Sequence, residues 1–190
     1  MSESASTVLP AWSSFYVMTG SSAAALTGLM FVVITLVSAE ERTANLHDGL
    51  STFSTPTVVH FCAALLVSAI VCAPWRLLIH PAILLGLLGL YGAAYILRVM
   101  LGARRLQAYT PDREDWLWYS ILPLAAYVAI AGGAIALPGA PVTALFALGG
   151  GVVALIFVGI RNAWDIVTFL ALRTPPAQPR PDPKGRGDDA

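Results

Sequence analysis

Apolar residues run along this chain in five long blocks, with polar residues gathered in the short stretches between them. The blocks cover about 11–38, 56–73, 81–103, 116–137 and 141–160, and a helix needs roughly 20 apolar residues to cross the hydrocarbon of a bilayer. Backbone N–H and C=O groups in lipid must be bonded internally, so each block is predicted to be a transmembrane α-helix. Pro10, Pro56 and Pro81 stand at or beside block starts, where a missing N–H costs nothing. Pro74 ends the second block, the shortest, which "STFST" before Pro56 can lengthen; Pro138 and Pro141, in "LPGAP", bracket the last turn. Pro123 lies inside the fourth block and is expected to kink it by displacing the carbonyl of Tyr119.

Beyond the fifth block, "RNAWDIVTFLALR" suits a helical extension over 161–172, with Arg161 and Asp165 four apart on one face. Residues 1–172 therefore read as one transmembrane domain. The remainder, 173–190, is Pro-rich, charged and poor in large apolar residues, and is expected to be a disordered cytoplasmic tail.

Composition strengthens this reading. Of 190 residues, 57% are hydrophobic and 12% charged, and the mean hydropathy is +0.72. A soluble domain carries roughly 25% charged residues, so the fold class is an all-α integral membrane protein. The opening "MSESASTVLP" has no Lys or Arg, so the first block is expected to be kept as a span rather than cleaved as a signal peptide.

Charge orients the five spans. The loop 39–55, the loop 104–115 and the tail fall on one side, with Arg42, Arg98, Arg104, Arg105, Arg113, Arg161, Arg173, Arg180, Lys184 and Arg186. Of the 11 Lys and Arg residues only Arg76 falls on the other. By the positive-inside rule the amino terminus is outside and the carboxyl terminus cytoplasmic. An even number of spans would instead separate Arg42 from Arg104 and Arg105. Trp12, Phe15, Tyr16 and Trp75 are expected at the outer interface, and Trp116, Trp118, Tyr119 and Trp164 at the inner one.

Intramembrane ionisable groups are the default functional candidates. His60, in the second span, is one: it either bonds a neighbouring helix or serves as a proton relay or ligand. Arg98, Arg104, Arg105 and Arg161 stand at inner ends, placed for contact with inner-leaflet lipid headgroups. His47, His60 and His80 belong to three depths, so no metal or haem site is expected. Glu40, Glu41, His47 and Asp48 cluster in the first inner loop without a recognisable ligand spacing. Cys62 and Cys72 are ten residues apart, about 280° around a helix, and read as small apolar fillers. Zero formal net charge gives no support to nucleic-acid binding. No G-x-S-x-G, Walker, H-E-x-x-H or G-x-G-x-x-G pattern occurs, so neither an enzyme nor a cofactor is indicated.

Small residues recur at helical spacing: Gly20, Ala24 and Gly28; Gly89 and Ala93; Ala125, Ala129 and Gly133. Such faces let helices approach closely in lipid, within a chain or between copies. Ser21, Ala24, Gly28, Phe31, Thr35 and Ser38 form one stripe of the first helix, a candidate for helix packing or for lining a pore. The stretch "GSSAAALTGLMFVVITL" resembles the first helix of uncharacterised small bacterial polytopic membrane proteins with an L-x-G-L-x-F-V core. The likeness spans about 20 residues, implies a bacterial inner-membrane protein, and carries no activity with it. The expectation is a homo-oligomeric inner-membrane protein that passes or gates a small solute or ion. The alternative is a non-catalytic accessory or scaffold subunit of a larger membrane complex.

Overall fold

A computed structural model describes residues 5–44, 50–105 and 116–173, which are helical apart from two short connections. The elements are α1 (Ala5–Ala44), α2 (Leu50–Cys72), α3 (Ile79–Arg105), a π turn (Leu117–Ile121) running into α4 (Leu122–Ala136), and α5 (Pro141–Arg173). Among the described residues four stretches are long and apolar enough to cross a membrane: Val8–Thr35, Ile79–Leu101, Leu117–Ala136 and Pro141–Asp165. The second block is the exception. Its apolar part, Pro56–Cys72, falls short of that length, at about 26 Å for a 1.5 Å rise per residue.

The prolines correct the expected boundaries. Pro10 and Pro56 lie inside α1 and α2, each of which begins upstream of its proline. Pro123 is accommodated by changed winding. The Leu122 N–H bonds to the Leu117 carbonyl, five residues back, and Pro123 then occupies the first turn of α4. The wider turn absorbs the missing donor and the ring's bulk just where an unbroken α-helix would clash. At the other end of α2, the Trp75 indole N–H donates to the Ile70 carbonyl at 2.6 Å, capping the helix before the chain turns into α3.

Contacts give the helix directions. Ser68 of α2 meets Gly20 of α1, and Cys72 meets Ser13, so α1 and α2 are antiparallel. Trp12 meets Phe146 edge to face and Phe15 faces Gly149, so α1 and α5 are parallel. Gly89 faces Ala131 and Gly86 faces Ala134, making α3 and α4 antiparallel; Gly133 against Leu148 and Gly151 against Ile130 do the same for α4 and α5. The helices therefore alternate. Arg98 and Arg161, and the chain positions of Arg42, Arg104, Arg105 and Arg173, fall at one end of the bundle, with Arg76 in the α2–α3 connection at the other. Arg113, Arg180, Lys184, Arg186, His47, Asp48 and the 174–190 tail lie outside the described residues.

Helix α5 occupies the centre and touches α1, α2 and α4. Its Leu145, Leu148, Val152 and Leu155 are completely buried and belong to one apolar core with Val67, Leu85 and Ile130. Glycines set the spacing. A Cβ on Gly89 would stand 2.7 Å from the Ala131 nitrogen, and one on Gly151 2.7 Å from Ile130.

Candidate functional site

Polar side chains gather at several levels inside the bundle and along one outer face of α1. Inside, His60 of α2 and Tyr127 of α4 are each 1% exposed. His60 Nδ1 lies 3.1 Å from Tyr127 Oη, with ring centroids 5.7 Å apart. Gly92 of α3 makes room for the phenol, since a Cβ there would overlap the Tyr127 ring. If the phenol donates, the ring proton of a neutral His60 is on Nε2; a proton on Nδ1 makes the phenol oxygen the acceptor.

A second polar pair lies closer to the Arg76 end. Thr19 Oγ1 and Ser68 Oγ are 3.2 Å apart, and Ser68 Oγ donates to the Ala64 carbonyl at 2.8 Å. Both residues are buried beside the close approach at Gly20. Nearby, Tyr16 is fully buried and its hydroxyl donates to the Leu145 carbonyl at 2.8 Å, tying α1 to α5. The sequence places Tyr16 at the outer interface; its hydroxyl is spent inside the bundle.

Towards the Arg-rich end, Thr57 of α2 and Asn162 of α5 are 0% and 1% exposed. Thr57 Oγ1 and both carboxamide atoms of Asn162 have no hydrogen-bond partner. On the more open side of α5, Arg161 pairs with Asp165, and its guanidinium carbon is 6.0 Å from the Trp118 ring centroid.

On the outer face stands the α1 stripe. Ser21, Ala24, Gly28, Phe31 and Thr35 are all exposed on the single chain, Phe31 at 69%, and nothing comes within 4 Å of a Cβ built on Gly28. The Ser38 side chain lies outside the described residues. The side of α1 that packs carries Tyr16, Thr19, Ala23 and Met30. Of the Gly20, Ala24, Gly28 series only Gly20 meets a neighbouring helix. Thr35 Oγ1 donates to the Val32 carbonyl at 2.8 Å on the exposed side of α1.

The remaining candidates are dispersed. Arg98 is exposed near the end of α3, and the side chains of Arg104 and Arg105 are outside the described set. Cys62 and Cys72 are free thiols, both exposed. Among the described residues no three His, Cys, Asp or Glu side chains gather as metal ligands. Sequence reasoning singled out His60 but not Tyr127, Thr57 or Asn162. A tyrosine amid "PLAAYVAIAG" and an asparagine just inside the end of an apolar helix are the available signals, yet neither reveals which helix it faces. Comparison with protein-family models, curated proteins and solved structures finds no match.

Proposed function

We propose that this chain is a five-span protein of a bacterial inner membrane, amino terminus outside and carboxyl terminus cytoplasmic. In this reading it assembles with copies of itself through the α1 stripe and passes or gates a small solute or ion along the axis so formed. One observation carries the reading: on a single chain the stripe points away from the bundle that buries the other side of α1. Hydroxyls and a glycine gain nothing from acyl chains, whereas a small-residue face lets a second helix approach closely. Where such faces ring an axis, Ser21 and Thr35 hydroxyls replace part of a permeant's hydration without placing a charge in the bilayer. Phe31 then forms an apolar constriction that can gate by dewetting. The collection of arginines at one end of the alternating bundle supports the orientation.

The test uses purified protein and a variant lacking Cys62 and Cys72. The expected results are an oligomer by mass in detergent, solute or ion flux in proteoliposomes, and reaction of cysteines placed at Ser21, Gly28 and Thr35 with small water-soluble thiol reagents. An oligomer with unreactive cysteines and no flux makes the stripe a packing surface and favours the scaffold reading. A monomer removes the proposal.

A further inference from the structure

Thr57 and Asn162 belong to facing surfaces of α2 and α5. The two helices run antiparallel, and they touch where Phe61 lies against Gly159: a Cβ on Gly159 would stand 2.8 Å from Phe61 Cζ. Thr57 is four residues before Phe61, hence on the same face of α2. Asn162 is three residues after Gly159, on the same face of α5. Both steps lead one turn towards the Arg-rich end. They bring a hydroxyl and a carboxamide to one level of one interface, where three polar atoms are shut off from solvent without a partner.

An orphaned buried donor or acceptor costs about 1–3 kcal/mol, so three of them at one level call for a partner in common. The donor set specifies its chemistry. Asn162 offers an N–H pair and a carbonyl, and Thr57 a hydroxyl that both donates and accepts. A cation is disfavoured, because neither side chain brings a negative charge and the Asp165 carboxylate is already held by Arg161. An anion would be buried without a free counter-charge, which costs several kcal/mol. We infer that Thr57 and Asn162 form a binding site for a small neutral molecule that both donates and accepts hydrogen bonds. Water and the amide or hydroxyl end of a small solute share this chemistry. The site lies within one chain and does not depend on assembly through α1.

Nuclear magnetic resonance on the full chain, carrying 15N in its asparagine side chains, tests this in detergent micelles. A resident water gives a water-to-carboxamide cross-relaxation peak at Asn162, weakened or lost in Thr57→Val. Added acetamide separates the two sources. A shifted Asn162 carboxamide with a vanished water peak identifies a solute site, and an unchanged water peak a resident water; either supports the inference. Absence of both a water peak and an acetamide response in the wild-type chain overturns it, including the case of a direct Thr57–Asn162 bond. Thermal unfolding adds a second reading. Thr57→Val and Asn162→Leu should each lower the midpoint, with the double variant losing less than the sum because no orphan remains. Additive losses count against a shared guest.

Discussion

His60 of α2 and Tyr127 of α4 are joined by a 3.1 Å hydrogen bond across helices whose backbones barely approach each other. Only two long side chains meeting near the middle can make such a link, and Gly92 of α3 leaves the space for it. Tyr127→Phe keeps the ring and removes the hydroxyl, leaving His60 Nδ1 unpaired. The expected loss is about 0.6–2 kcal/mol, read as a lower thermal midpoint in detergent. Adding His60→Leu should cost less than its own single effect, because it removes the orphan. Equal, additive losses would show that the bond carries no stability.

Glycines at superficially similar positions should respond in opposite ways. A side chain at Gly92 meets the Tyr127 ring, whereas nothing comes within 4 Å of a Cβ at Gly132. Gly92→Leu should lower stability by at least about 1–3 kcal/mol through overpacking, or prevent folding. Gly132→Leu should leave the midpoint nearly unchanged. Similar effects at both sites would contradict the α3–α4 packing.

Gly28 is equally open on the single chain. Gly28→Leu should therefore preserve the fold and act on whatever covers the stripe. Weakened assembly is the outcome for a packing surface, and reduced flux with intact assembly the outcome for a pore lining. A folding defect in monomeric protein would place Gly28 inside the bundle.

The Arg161–Asp165 pair is a helix-surface contact, its side chains 38% and 35% exposed. Water and salt screen it, so Asp165→Asn should cost less than about 1 kcal/mol. Midpoints at low and high salt give the measurement. A loss several times larger would assign this pair a role in holding the α5 end in place.

Orientation is read by labelling. In a variant lacking Cys62 and Cys72, a cysteine at Ser4 should react with a membrane-impermeant reagent on intact spheroplasts. One at Lys184 should react only after the inner membrane is opened. The reverse pattern would invert the proposed topology.

Helix positions were legible in the sequence, because an apolar run long enough to cross lipid must bond its own backbone wherever it lies, and the Arg161–Asp165 pair was local for the same reason. Register inside the helices was less so: Pro123 announces a disturbance, but the π turn that absorbs it depends on how α4 continues. Which face of each helix turns inward was decided only by the tertiary structure. In a water-soluble bundle, polarity separates the buried side from the exposed one. Here the interior and the outer face are both apolar, and glycines occur on each, Gly20, Gly92 and Gly159 against neighbouring helices and Gly28, Gly132 and Gly150 in the open. His60 could be picked out as a lone ionisable group within an apolar run. Its partner Tyr127, 67 residues away, and the facing of Thr57 and Asn162 follow from the order in which antiparallel helices stack, a property no single run of sequence contains.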